Sequence, residues 1–412
     1  MQSAHRRHEV VVTGLGVVSP IGVGKQAFWS ALCAGRSGIK ADATTPSRLS
    51  AAVDAFSARE LIHSPNLRRA DALSRMIVAS ARMAIDDAGL DLAGVPPERI
   101  GVVVGSALGA VADSVQYLEK LFSKGPALAS PMLFPNLVLN AAASYVAMEI
   151  GATGANFTVG DGEICGEQAL ALALATIRAG RADVVVAGGG DDFLPALVEQ
   201  TYRSFHALAG QRGGVAWCSP YDRDRSGVVL GQGAAMLVLE SAAHARRRTT
   251  HAYAALRESL SLSLSSSPFA WPKDGTAAVP LLQRFLAAQP GRAGVDLVLG
   301  NANSSRRLDA CLLALSERLP ARDGGPWVSS IKGAIGEFGA AGALSMAAAC
   351  LALHEGIVPP LCNLRHPDSN GRLRFAAPTA QAASIERVLS LGIARGGAAT
   401  ALLLERAQSV SE

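Results

Sequence analysis

The segment TVGDGEICGEQALALALATIRAG, residues 158–180, reads as the end of a strand, a sharp Gly-rich turn and a long helix. The first backbone N–H groups of a helix lack partners and favour negative charge, so such a turn is a natural seat for a nucleophile. Here the seat offers Glu163 and, two residues on, Cys165. A thiolate there would be activated by the helix. A carboxylate attacking a thioester would give a mixed anhydride, which water destroys quickly, so Glu163 is a poor carrier of an acyl chain. Cys165 lies roughly 200° around a helix axis from Glu163 and is expected to point away, as an inert buried thiol. Glu163, held ionised at the helix start, needs a cationic partner if it is buried.

The chain that must position this turn has 412 residues, 49% of them apolar and only 17% charged. That is ample for a large core, in one big domain or two intimate halves, and it favours an oligomer whose subunits cover part of each other's surface. The formal net charge is +4, with no basic stripe interleaved with aromatics and no zinc-finger spacing, which excludes a nucleic-acid footprint. Six scattered cysteines form no CxxC pair, and the start runs straight into a strand without signal-peptide character. A reducing cytoplasm is the expected compartment. No metal or nucleotide motif is present, so no cofactor is expected, and the Ala-rich apolar runs are broken by Gly and read as buried helices rather than membrane spans.

Short β-branched runs at 9–16, 99–107, 182–190, 233–241, 295–303, 326–333 and 397–406 read as strands. Helical patterns fall between them at 24–34, 68–89, 137–150, 166–180, 306–319 and 340–355. Alternating strands and helices argue for a layered α/β fold with a mainly parallel sheet. VSSIKGAIGEFGAAGALSMAAACLAL echoes the strand, turn and Ala-rich helix of the first half, and GQGAAMLVLES echoes RGGAATALLLER. Two similar halves are expected, residues 8–255 and 256–408, with HAYAALRESLSLSLSSSP carrying the chain across.

VVVTGLGVVSPIG, AFWSALCAGRSGI, ADVVVAGGGD, SPYDRDRSGVVLGQGAAMLVLE, VSSIKGAIGEFGAAGA and GIVPPLCNL occur in this order along the chain. Together they resemble the β-ketoacyl-[acyl carrier protein] synthases, more closely the type II elongating ketosynthases of fatty acid and polyketide synthesis. The resemblance runs from about residue 8 to residue 406. It implies a thiolase-like fold, five-layered α-β-α-β-α, built from two pseudo-symmetric halves and working as a dimer. It also implies four catalytic groups: a cysteine that takes the acyl chain, two histidines that assist decarboxylation and stabilise the enolate, and a supporting lysine.

Carried over position by position, the pattern breaks. The cysteine position holds Glu163, the first histidine position Asn303 and the second Glu337, while the lysine persists as Lys332. The late F-G-F-G-G gating loop has become Ile393, Ala394, Arg395, Gly396 and Gly397. Glu163 is expected to fill the cysteine pocket and pair with Lys332 or Arg395. Asn303 can still donate a hydrogen bond, whereas an ionised Glu337 cannot and would repel an enolate. A Glu163–Glu337 acid–base pair is the alternative if burial raises one pKa.

Loss of the cysteine and both histidines resembles the chain length factor, the silent subunit that pairs with an active ketosynthase and shapes the acyl tunnel. The implied partners are that ketosynthase and an acyl carrier protein. In such factors the cysteine is often a glutamine, so a glutamate departs from the pattern. Met132, Leu133 and Phe134 fall in the segment that lines the neighbour's tunnel in this family, and are candidates for gating or for plain interface core. The rival readings are a malonyl-carrier decarboxylase using Glu163, an enzyme of altered chemistry using both glutamates, and a non-reacting carrier-binding homodimer. His206, His354 and His366 fall outside the histidine motifs and are expected on the surface or in loops. Asp222, Arg223 and Asp224 read as a charge-paired turn, and the loop at 265–278 with Trp271 as a candidate mouth.

Overall fold

The computed structural model describes residues 9–41, 48–54, 56–62, 64, 69–211, 216–289, 294–321, 324–369 and 371–407. Its ten principal strands fall into two sets of five. β1 (Val10–Ser19), β2 (Ile100–Gly105), β3 (Asn156–Val159), β4 (Val184–Asp192) and β5 (Leu230–Ser241) lie in the order β3-β2-β4-β5-β1. β6 (Ala254–Ser263), β7 (Leu297–Gly300), β8 (Trp327–Ser329), β9 (Arg387–Ile393) and β10 (Ala398–Arg406) lie in the order β8-β7-β9-β10-β6. Each set has the same design: three parallel strands, then two antiparallel ones. The sets meet where β1 pairs antiparallel with β6, Val10 opposite Leu256. The expected internal echo is therefore a repeated topology.

Helices α1 (Ala72–Asp87), α2 (Val111–Lys124), α3 (Ala141–Ile150), α4 (Cys165–Arg178), α5 (Ala196–Ser204), α6 (Arg306–Ser316) and α7 (Ala341–Glu355) complete the layers that concern the site. α1 and α3 pack on one face of the first set, with Leu73, Ile77 and Val146 against Val102, Val104 and Val184. α4 and α7 lie in the middle layer, where α7 buries every residue from Ala341 to Leu353. A helix apolar on all sides belongs in an interior. α6 buries Leu308 and Leu312 in the main core. Small residues let the middle helices touch backbone to backbone: a Cβ on Gly166 would lie 2.6 Å from the Ala343 nitrogen.

Two elements differ from the sequence expectation. The crossover after residue 255 is itself a strand, β6, whose alternating Ser and Leu residues match a half-exposed pleat. α2 is absent from the expected helices: it is amphipathic, with Val111, Val115, Leu118 and Phe122 on one face, yet none of its residues is fully buried, and Val111 packs against the main core. It lies against the body with Leu118 and Phe122 exposed. Among the described residues no helix is long and apolar enough to cross a membrane.

The close approach of β2 to the start of α4 holds the Glu163 turn. A Cβ at Gly105 would lie 2.2 Å from the Cys165 carbonyl oxygen. Gly105→Ala is expected to lower stability by about 1–3 kcal/mol, read as a lower midpoint in urea unfolding.

Candidate functional site

The site forms where the parallel strands end. Glu163 sits in a 3₁₀ turn, Gly162–Ile164, between β3 and α4, and Gly162 takes a φ of 58° that favours glycine. Asn303 follows β7, Lys332 follows β8, Glu337 precedes α7, and Arg395 lies in the β9–β10 connection. All five side chains are buried or nearly so.

They form two closed sets. The Nε of Arg395 donates to Glu163 Oε1 at 2.6 Å and its backbone N–H donates to Oε2 at 3.2 Å. The Tyr202 hydroxyl donates to the same carboxylate at 3.4 Å. Of the two partners expected for Glu163, Arg395 holds it. Lys332 is engaged elsewhere: its Nζ donates to Glu337 Oε1 at 2.7 Å, and the Asn303 amide donates to Glu337 Oε2. Burial pushes the Glu337 carboxyl up, and Lys332 opposes that shift. The two carboxylates thus face separate donors and share no proton-bridging contact.

Cys165 is fully buried and turns its thiol to Asp191, Sγ to Oδ2 3.8 Å. Burial, reinforced by Asp191, raises its pKa well above the usual thiol value. A thiol so protonated is not a nucleophile. Asp191, at the end of β4, escaped the sequence reading although it closes the ADVVVAGGGD motif. It accepts from the Ser106 hydroxyl at 2.7 Å, the Ala107 N–H at 2.9 Å and the Ala340 N–H at 2.8 Å, and so ties three connections around Glu163. Burial pushes its carboxyl up to about 6 against those hydrogen bonds.

Glu167, in the first turn of α4, is the odd member. It is 1% exposed, and its Oε2 has no hydrogen-bond partner. Gly342 and Gly392 make room for it; a Cβ on Gly342 would lie 1.7 Å from Oε2. Burial pushes this carboxyl up to about 7. No periodicity in the sequence distinguishes it from the apolar residues of the same helix face.

A cleft of about 340 Å³ adjoins Glu163 and Arg395. Phe193, Val198 and Tyr202 line its depth, and Leu108, Leu197 and Thr201 its exposed lip. Met132, Leu133 and Phe134 are not among its lining residues. Met132 and Phe134 are exposed beside α2, with Phe134 set 6.1 Å from the Tyr117 ring. Ile393 is buried behind the site and exchanges backbone hydrogen bonds with the Asn301 amide. His206, His354 and His366 are exposed and away from the cleft. In the 222–224 turn, Asp222 accepts N–H bonds from Asp224, Arg365 and His366 and Arg223 donates to the Pro367 carbonyl, so backbone contacts take the place of the expected pairing of Asp222 with Arg223.

Residues 7–245 match the β-ketoacyl synthase N-terminal domain and residues 265–365 its C-terminal domain. The chain belongs to the β-ketoacyl synthase family. It is 34% identical to the ketoacyl synthase alpha subunit of the tetracenomycin polyketide synthase of Streptomyces glaucescens, over 98% of both chains. It is 29% identical to 3-oxoacyl-[acyl-carrier-protein] synthase 2 of Coxiella burnetii, over 97% of this chain and 99% of that one. The ishigamide ketosynthase/chain length factor superposes with a TM-score of 0.89 at 26% identity, over 98% of this chain and 100% of that one. A ketosynthase in complex with a type II polyketide acyl-carrier protein, bound to the hexaketide, gives 0.85 at 26% identity, over 98% and 100%. The fold is thiolase-like, and the chain is a type II polyketide ketosynthase-like protein related to the ketosynthase/chain length factor pairs.

Two outcomes test these electrostatics. Lys332→Met strands a buried carboxylate and is expected to cost about 3–5 kcal/mol, with much of the loss recovered on adding Glu337→Leu, in urea melts of the four-member cycle. Glu167 binds its proton more tightly folded than unfolded, so its contribution is fully present below the unfolded pKa of 4.5 and is lost as pH rises to about 7. Glu167→Gln is therefore expected to be more stable than the parent at pH 8, by at most about 3 kcal/mol, with the gap closing towards pH 4.5.

Proposed function

We propose that this chain is a chain length factor: a ketosynthase-like subunit that does not condense, pairs with an active ketosynthase and shapes the tunnel that holds the growing acyl chain. Residues 8–255 and 256–408 are taken as its two halves. The carrying observation is the closed Lys332–Glu337–Asn303 set. Condensation requires hydrogen-bond donors aimed at a developing enolate oxygen. Here the two donors at those positions are directed at Glu337, a carboxylate fixed inside the protein. Glu163 is likewise held by Arg395, and the Cys165 thiol beside it is buried and turned to Asp191. Decarboxylation of a malonyl carrier needs the same donors and meets the same obstacle.

The surface supports a partner. Phe122, Leu128, Phe134, Met148 and Phe157 are exposed on or beside α2, α3 and the edge strand β3. An apolar patch with an unpaired strand edge is the kind of surface an obligate subunit covers. The similarity to a ketosynthase/chain length factor pair points to an active ketosynthase as that partner, and the hexaketide-bound relative points to a carrier-borne polyketide as the cargo.

The test is co-expression with a type II ketosynthase that retains its cysteine and two histidines, encoded beside this chain. The expected outcome is a one-to-one heterodimer on size-exclusion chromatography, product formation only by the pair, and no acetyl carrier from malonyl carrier and this chain alone. A stable homodimer that ignores the ketosynthase, or decarboxylation by this chain that Glu163→Ala abolishes, would overturn the proposal. Phe134→Ala is expected to change the length distribution of the pair's products by mass spectrometry; an unchanged distribution would remove it from the gating set.

A further inference from the structure

We propose that Arg395, caged by aromatic rings and paired with Glu163, is a fixed plug that seals the cleft from this chain's own loop surface and leaves the apolar lip as its mouth. The cleft has two ends of opposite character. At the lip, Leu108 is 47% and Leu197 59% exposed. That lip adjoins the apolar surface around α2, and the exposed Leu139 reaches to within 3.1 Å of where a Cβ on Gly160 would stand. At the inner end stand Glu163 and Arg395.

Arg395 is enclosed by rings. Its guanidinium lies 4.2 Å from the ring centroid of Tyr202, which lines the cleft, and on the other side 4.9 Å from Trp271 and 5.2 Å from Phe205, which do not. Phe205 continues the stack to Phe269, centroids 5.9 Å apart, and Phe269 is 68% exposed. A row of rings, Phe269 then Phe205, therefore runs from the loop surface down to the cation that holds Glu163. The loops that carry the row are tied together. Gly396 N–H donates to the Ala270 carbonyl at 3.2 Å, and Leu264 N–H to the Gly397 carbonyl at 2.7 Å. Burial works against the arginine charge, but Tyr202 and Glu163 outweigh it and raise its pKa. Stacking on the rings and the charge-assisted bond from Nε to Glu163 hold the guanidinium together, while the Arg395 backbone N–H takes the second carboxylate oxygen.

The consequence is directional. A chain occupying the cleft enters at the apolar lip, from whatever covers α2, and not through this subunit's loops. That the occupant is an acyl chain rests on the proposed function; the seal does not, and its test requires no turnover.

The test places a thiol at the inner end with Glu163→Cys and follows its alkylation by N-octyl chloroacetamide with intact-protein mass spectrometry. The sulfur–carbon bond forms, chloride leaves, and the thiol proton passes to buffer. The parent chain, with its native cysteines, supplies the background rate. Labelling of E163C is expected above that background. Adding Leu108→Trp or Leu197→Trp at the lip is expected to slow it by about tenfold or more. Adding Arg395→Ala to the blocked variant is expected to restore it by opening the other end. Circular dichroism melts confirm folding of each variant, and Arg395→Leu replaces R395A if the latter does not fold. Three results would each overturn the plug: no labelling of E163C, blocked variants that label as fast as E163C, or blocked variants that Arg395 substitution does not reopen.

Discussion

A carboxylate taken out of water must be met by a cation or by several donors, and that requirement organises the centre of this protein. Three acidic groups stand within the same small volume, and each meets the requirement differently. Glu163 has a guanidinium, a backbone N–H and a phenol. Glu337 has an ammonium and an amide. Asp191 has no cation and relies on a hydroxyl and backbone N–H groups from two other connections. Once these partners are assigned, few polar atoms of the region remain free to face a substrate. A buried charge network of this kind contributes less to net stability than to fixing one arrangement.

The scaffold that brings these groups together is the repeated half. Parallel strands that end at one level place their following loops side by side, so Glu163, Asn303, Lys332 and Arg395 converge although they are far apart in sequence. Close approach then depends on absent side chains. Gly105 and Gly166 let α4 sit against β2 and α7, and Gly342 and Gly392 leave the hollow that Glu167 occupies. Glu167 is the exception to the opening rule: a buried carboxyl with one oxygen lacking a partner, whose pKa burial raises to about 7.

Most of the scaffold was legible in the sequence. The β-branched runs and the Gly-rich turns located eight of the ten strands in outline, and the Ala-rich helix with no polar face was readable as the central one. β6 escapes because its SLSLS alternation lies where the two halves join, and β9 because RVLSLGI follows a long loop-rich stretch with no helix before it. α2 has a stripe at Val111, Val115, Leu118 and Phe122, but no strand–helix alternation pointed to it. The site was legible where motifs fixed the register, so Glu163, Lys332, Asn303 and Glu337 could be named. The choice of Arg395 over Lys332 as the partner of Glu163 was open, because only the fold decides which cation is nearer. Asp191, Tyr202 and Glu167 carry no spacing signal; their meaning comes from what surrounds them after the halves close.

α2 has a further consequence. A 14-residue helix with no fully buried position gains little from the subunit's own core, while Leu118 and Phe122 stay wetted. On the proposed pairing, part of its ordering free energy is deferred to association. The isolated polypeptide is then the species that chaperones and proteases meet, and its abundance in a cell would be set by the supply of whatever covers that helix rather than by its own synthesis.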